Sequence, residues 1–136
     1  MKQIIKRARC PLGIALGVFL LFRFVLYFGY VPSRSMEPTI PAGSIIIGIR
    51  LFDRNELETG DIIIFYHEEK TLIKRIGAKS GDVVHVDGQK MVVPYGAYYV
   101  LGDQSECSID SRHWPVPWLD RHAIIARLVL HFPLIR

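Results

Sequence analysis

Cysteine and paired histidines are scarce in this chain, and their scarcity excludes two kinds of protein. The 136 residues include two cysteines, Cys10 and Cys107, too few for a disulfide-stapled scaffold and without the spacing of a zinc finger. The five histidines are scattered and form none of the close pairs that metal ligation usually needs. The sequence therefore predicts neither a metal site nor a cofactor.

A surplus of positive charge is also missing from most of the chain. The formal net charge of +4 is accounted for by Lys2, Lys6, Arg7 and Arg9, and basic and acidic residues balance from Cys10 onward. A nucleic-acid-binding surface would need its basic residues clustered on the folded part. We therefore expect no nucleic-acid partner, and the basic N-terminus is typical of a targeting signal.

One long apolar run is present, residues 11–31, with Arg23 as its only charge. As a helix, these residues would span ~31 Å, about the thickness of a hydrocarbon core. Because the basic cluster precedes the run, the positive-inside rule places residues 1–10 in the cytoplasm and residues 32–136 on the outer side. The sequence thus predicts a single transmembrane anchor over residues 11–31, with membrane lipid as a partner and the plasma or inner membrane as the location.

A cleavable signal peptide is the competing interpretation of this run. The residues after its apolar core, 23–27, are bulky where a cleavage site needs small side chains. This favours an uncleaved anchor. Arg23 would cost ~2.5 to 3.5 kcal/mol at the centre of a spanning helix, and the sequence leaves open whether it snorkels or contacts another membrane protein.

The part after the anchor has the pattern of a β-rich domain. Its apolar stretches are short, β-branched and separated by turn signals, which predicts a small antiparallel β-sheet or barrel. The clearest hairpin turn is Asp87-Gly88, a pair that suits a type I′ turn. The predicted strands are residues 44–49, 61–66, 71–76, 82–86, 90–93, 98–101 and 123–131.

Candidate chemistry begins in the proline-stiffened loop that follows the anchor, where Ser33, Ser35 and Thr39 carry hydroxyl groups. A serine becomes a nucleophile only if a base reaches it. Strand alternation puts Lys74 between Leu72 and Ile76 on one apolar face. Deprotonating an ordinary lysine at pH 7 costs ~4.6 kcal/mol, and burial lowers a lysine pKa by up to ~3 to 5 pH units. The pattern alone does not distinguish such a base from a lysine that snorkels at a strand edge.

A third polar segment, residues 102–114, contains Ser108 and the charged pair Asp110 and Arg112. By itself it is a polar loop with a structural ion pair. Together, the three segments resemble the type I signal peptidase family, membrane-anchored serine proteases that use a lysine as base. The serine motif is matched by residues 33–39 (SRSMEPT), the lysine motif by 74–82 (KRIGAKSGD) and the third motif by 102–112 (GDQSECSIDSR).

The resemblance implies a role for each of six residues. Ser35 would be the nucleophile and Lys74 the general base. Ser33 would donate to the oxyanion hole and Ser108 would orient the lysine amine, while Asp110 and Arg112 would hold the surrounding loop. The implied activity is a membrane-bound serine endopeptidase that removes signal peptides from exported preproteins. Those preproteins are the implied partners, with the secretion machinery as a further candidate.

Departures from the family motifs keep other functions open. Arg34 stands where a glycine is common between the two serines, and Gln104 stands where an asparagine is usual. These changes predict altered loop geometry and, at Arg34, a preference for acidic residues near the cut. One alternative is a dedicated maturation peptidase for a single substrate, such as a conjugative pilin or a secreted peptide. A different class is a catalytically silent, membrane-tethered β domain that binds partners.

Overall fold

The computed structural model describes residues 2–134, and the side chains of residues 11–134. A helix, α1 (Lys2–Leu20), continues through a π-helical segment, Leu21–Val25, into a chain of short strands. The strands are β1 (Leu26–Val31), β2 (Ser44–Ile49), β3 (Ile62–His67), β4 (Lys70–Lys79), β5 (Val83–Val86), β6 (Gln89–Val92), β7 (Ala97–Leu101), β8 (Leu119–Asp120) and β9 (Ile124–Pro133).

Seven of these strands form one antiparallel sheet in the order β1-β2-β9-β3-β4-β7-β8, and β5 pairs with β6 in a separate hairpin. The prediction of a mostly β, antiparallel domain is therefore confirmed. The β5–β6 turn has positive φ angles at Asp87 (50°) and Gly88 (78°). These are the angles that a type I′ turn requires, so the predicted hairpin is confirmed as well.

The prediction of one membrane helix over residues 11–31 is wrong for its last part. Residues Leu26–Val31 form strand β1, which pairs with β2 so that Phe28 lies opposite Ile47 and Tyr30 lies opposite Ile45. Aromatic and β-branched side chains gain more from such cross-strand contacts than from an isolated helix. Within the described residues, every helix is too short or too polar to cross a bilayer. The side chains of the predicted basic segment, residues 1–10, lie outside the described residues.

The core fixes the loop that follows β1. Met36 and Ile40 are fully buried in a cluster with Val31, Ile46 and Ile64, so the chain between β1 and β2 is packed against the sheet. Such burial of apolar side chains stabilises each by about 1.5–3 kcal/mol. The loop is further closed by a hydrogen bond from the Ile40 N–H to the Met36 carbonyl at 2.8 Å. The residues just before Met36 are therefore held in one conformation.

Candidate active site

A groove of about 550 Å³ lies between two strands that are far apart in the order of the sheet. One wall is formed by β1 and the residues after it, from Tyr27 to Ser35, and the other by residues 70–74 of β4. Because β2, β9 and β3 separate these strands in the sheet, the sheet must curl to bring them together. Residues 70–74 of β4 pair with β3 on one side only. Their other edge is free in the described sheet, because β7 pairs with β4 from Arg75 onward.

Ser35 lines this groove and is 5% exposed. Its hydroxyl oxygen is 3.3 Å from the Ser33 hydroxyl oxygen. The Ser35 carbonyl accepts a hydrogen bond from the Gln104 N–H at 3.0 Å, which ties the serine loop to the third motif. The buried neighbour Met36 holds the other side of the loop. The structure therefore brings both serines of the first motif to the groove.

Lys74 also lines the groove and is 3% exposed, so it is buried and does not snorkel at a strand edge. Burial is the largest influence on its pKa and lowers it below the ordinary value of 10.5. The carboxylates of Asp110 and Asp103 act in the opposite direction and Arg112 adds to the lowering. In the described residues, no direct hydrogen bond joins Lys74 to Ser35; such bonds often form only when substrate is bound.

Three of the predicted supporting residues, Ser108, Asp110 and Arg112, form one cluster around the fully buried carboxylate of Asp110. The Ser108 hydroxyl donates to Asp110 Oδ2 at 2.6 Å, and the Gly102 N–H donates to the same oxygen at 2.8 Å. Arg112 donates to both oxygens of Asp110, at 2.9 and 2.6 Å. Burial alone would raise the pKa of the Asp110 carboxyl, but these hydrogen bonds together hold that pKa well below its ordinary value. Asp110 is therefore a carboxylate at neutral pH.

Comparison with known proteins identifies the family of this chain. The sequence pattern of the family described as "Signal peptidase, peptidase S26" matches residues 3–93. The chain belongs to this signal peptidase family. The match includes the segments that carry Ser35 and Lys74 and ends before the third motif. The resemblance drawn from the motifs is thus confirmed, and the chain is a serine peptidase.

Individual relatives of this peptidase extend the comparison along the chain. It is 30% identical to the probable signal peptidase I-1 of Synechocystis, over 96% of this chain and 83% of the relative. It is 28% identical to signal peptidase I of Leptolyngbya laminosa, over 94% and 77%. It is 33% identical to the mitochondrial ATP-independent inner membrane protease subunit 1b of Arabidopsis thaliana, over 68% of this chain and 63% of that relative. Relatives that carry the name signal peptidase I support a signal peptidase function.

Two supporting residues of the peptidase were missed from the sequence, Arg75 and Asp103. Arg75 donates to both carboxylate oxygens of Asp103, at 2.8 and 2.7 Å, and also to the Thr39 hydroxyl at 3.3 Å. The pair thus joins segments from all three motifs. Strand alternation in the sequence indicates that Arg75 and Lys74 point to opposite faces of the strand. Nothing in the sequence identified Asp103, 28 residues away, as the partner of Arg75.

Gly102 is required by close packing at the same place. A methyl group there would overlap the Ser108 hydroxyl and lie 2.6 Å from the Ser35 carbonyl oxygen. Only glycine, which has no Cβ, leaves room for the Ser108 side chain and the Ser35 backbone at this distance. In the described part of the peptidase, no group of three His, Cys, Asp or Glu side chains is placed to hold a metal ion.

Proposed function

We propose that this peptidase is a membrane-attached serine endopeptidase that removes signal peptides from exported preproteins, with Ser35 as nucleophile and Lys74 as general base. The observation that carries the proposal is that both side chains, each at least 95% buried, line a single groove. A dry environment favours the neutral amine, the form of lysine that accepts a proton. Neither residue needs a metal or cofactor for this chemistry.

The proposed reaction has two steps. In the first, the Ser35 oxygen bonds to the scissile carbonyl carbon while its proton passes to the Lys74 amine. The carbon–nitrogen bond then breaks as Lys74 returns that proton to the departing amine, which leaves an ester on Ser35. In the second, Lys74 takes a proton from water, the water oxygen attacks the ester, and the proton returns to Ser35 as the signal peptide is released.

Hydrogen bonds near Ser35 and Lys74 suit two further roles, stabilisation of the oxyanion and orientation of the Lys74 amine. The Ser33 hydroxyl and the Ser35 N–H would donate to the negatively charged oxygen of the tetrahedral intermediate, and each such donor is typically worth about 10² to 10³ in rate. The proton of the Ser108 hydroxyl is already committed to Asp110. The lone pairs of Ser108 are therefore available to accept a hydrogen bond from the Lys74 amine and to orient it.

The groove is suited to an extended peptide. It lies between β1, whose outer edge is unpaired in the sheet, and the free edge of residues 70–74 in β4. A substrate strand placed there would bond to main-chain groups and present alternate side chains to the groove. Its scissile bond would lie beside the Ser35 hydroxyl.

An apolar surface supports attachment to a membrane. The strands β1, β2 and β9 place cross-strand partners side by side on their exposed face, which we call the outer face. A contiguous exposed apolar area of this kind is typical of a membrane or protein contact. The outer face consists of Phe28, Tyr30, Ile45, Leu130 and Phe132, which are 38–62% exposed.

We further propose that the peptidase resides in the plasma or inner membrane, with its basic N-terminus in the cytoplasm and its sheet outside. Cys107 is an exposed free cysteine and tests this orientation. A membrane-impermeant maleimide should label Cys107 in intact cells that express a Cys10→Ser variant. Labelling only after lysis would contradict the orientation.

The activity is tested with a serine-directed acylating inhibitor and with a panel of secreted precursors. The full chain should form a covalent adduct at Ser35 and shorten precursors, whereas Ser35→Ala and Lys74→Arg should do neither while remaining folded. Arginine is the informative replacement because it keeps the charge but cannot lose its proton. An intact chain that is never acylated would be a silent binding domain, and cleavage of one precursor alone would identify a dedicated maturation peptidase.

A further inference from the structure

Tyr27 contributes an aromatic side chain to the wall of the groove. Strand alternation puts Tyr27, Gly29 and Val31 on the same face of β1, and all three residues line the groove. A strand rises about 3.3 Å per residue, so Tyr27 lies about 13 Å along β1 from Val31. An extended substrate beside β1 would therefore present to Tyr27 a side chain about four residues away from the one that faces Val31. Either direction of the substrate strand places one of its side chains opposite Tyr27.

The missing side chain of Gly29 determines where the Tyr27 ring lies. A Cβ atom on Gly29 would be 2.9 Å from Tyr27 Cε1 and 3.1 Å from Ile46 Cγ1. Real Cβ atoms essentially never come within 3.0 Å of another heavy atom in this way, so any other residue at position 29 would displace the ring. The edge of the Tyr27 ring thus lies over the Gly29 backbone, where it occupies space that a side chain of residue 29 would fill.

Arg50 gives the ring a second contact. Its guanidinium carbon is 5.1 Å from the centroid of the Tyr27 ring, within the range of a cation–π interaction. Arg50 Nε donates to the Leu26 carbonyl at 3.1 Å, and the Arg50 N–H donates to the Val25 carbonyl at 2.7 Å. Arg50 is therefore tied to the two residues directly before Tyr27. A movement of the ring away from Gly29 would disturb its contact with the guanidinium.

We propose that the Tyr27 ring limits the size of one substrate side chain, so that the enzyme selects precursors with glycine, alanine or serine at the position that faces Tyr27. This inference rests on the proposed function and adds a substrate class to it. A bulky side chain at that position would have to displace a ring that contacts Arg50 and lies against the Gly29 backbone. The position is defined by Tyr27 on β1, and the experiment locates it relative to the cut.

The test is a set of otherwise identical precursors in which phenylalanine replaces alanine at one position at a time, on both sides of the cleavage site. The full chain cuts them in detergent micelles. The measured quantity is the ratio of kcat/KM for the phenylalanine and alanine precursors, in which any loss of folded enzyme cancels. The ratio for the wild type should fall by roughly 10- to 200-fold at the position that faces Tyr27. Tyr27→Ala should bring the ratio at that position close to one.

Two further variants separate the ring from its hydroxyl group and from Arg50. Tyr27→Phe keeps the ring and should keep the wild-type ratio. Arg50→Gln removes the cation beside the ring and should raise the ratio part of the way toward one. Tyr66→Ala is the matched control, because Tyr66 is an exposed aromatic residue of β3 that is not among the residues lining the groove. It should leave the ratio at the wild-type value at every position.

The proposed size limit would be overturned if Tyr27→Ala and the wild type gave the same ratio at every position. It would also be overturned if the wild type preferred phenylalanine at a position where Tyr27→Ala does not, since the ring would then attract large side chains. Failure of the wild type to cut the alanine precursor would instead overturn the proposed peptidase activity.

Discussion

Arg75 and Asp103 form a two-pronged ion pair that fastens the strand carrying Lys74 to the loop carrying Ser108. The two hydrogen bonds are 2.8 and 2.7 Å long, and Arg75 also donates to Thr39 in the loop that carries Ser35, at 3.3 Å. The hydrogen bonds from Arg75 lower the pKa of the Asp103 carboxyl, so the pair stays charged at neutral pH. One ion pair thus ties together the segments that carry the proposed catalytic groups.

Breaking this pair should therefore weaken both the fold and the activity. We expect Asp103→Asn to lower the free energy of unfolding by about 1–2 kcal/mol, because a charged hydrogen-bond partner is lost. A double-mutant cycle with Arg75→Gln, followed by urea unfolding, measures the coupling between the two side chains. Strictly additive effects would show that the pair is not coupled.

Asp110 should make stability depend on acid. Its folded-state pKa lies below the ordinary value of 3.8, so the stability that it contributes is present above that value and is lost as the pH falls further. Asp110→Asn should lower the free energy of unfolding by roughly 2–4 kcal/mol near neutral pH and should flatten the acid dependence. Asp87→Asn, in the β5–β6 turn, is the control and should change neither. If the free energy of unfolding of Asp110→Asn fell with acid as in the wild type, Asp110 would not be the group that causes the acid dependence.

Gly102→Ala should damage the activity more than the fold. The added methyl group would push Ser108 and the Ser35 backbone apart, and a displacement of about 1 Å at a catalytic group costs about 10²-fold in rate. The measurement is the rate of acylation of Ser35 by the inhibitor. Gly17→Ala is matched in size, has no neighbouring atom within 4 Å of the new carbon and should acylate at the wild-type rate. Equal rates in both variants would count against the close packing.

Burial of Lys74 should cost the protein stability. Between the lowered folded-state pKa and the ordinary value of 10.5, the unfolded chain binds this proton more tightly than the folded chain, so stability rises with pH. Lys74→Met should therefore be more stable than the wild type near neutral pH, by about 1.4 kcal/mol for every ten-fold difference in proton affinity. The gain should shrink as the pH approaches 10.5. Lys90→Met, at an exposed position, should show no such gain in the free energy of unfolding. If Lys74→Met also showed no gain, the argument from burial would be contradicted.

Local chemistry made most of the fold predictable. The β2 strand was found at its predicted bounds because alternation and turn residues act over a few neighbouring positions. The strand β1 was not predictable, since an apolar run of aromatic residues satisfies either a membrane helix or a strand until its partner is known. That partner, β2, lies beyond the proline-rich loop, and only the tertiary fold pairs them.

The candidate site also has features that the sequence predicts and features that only the fold reveals. The serine loop and the lysine between apolar neighbours were visible as sequence patterns, but only the structure shows that Lys74 is buried. The curl of the sheet and the free edge of β4 depend on the three-dimensional arrangement of distant segments. These features were therefore not predictable from the sequence.

The central claim is that the Lys74 amine is neutral while the enzyme works. It is tested most directly by NMR titration of lysine side-chain carbons in the full chain, with Lys74→Arg used to assign the signal. We expect a Lys74 midpoint clearly below 10.5 that coincides with the rise of Ser35 acylation with pH. A midpoint at or above that of an ordinary lysine, in enzyme that is active at neutral pH, would contradict the account.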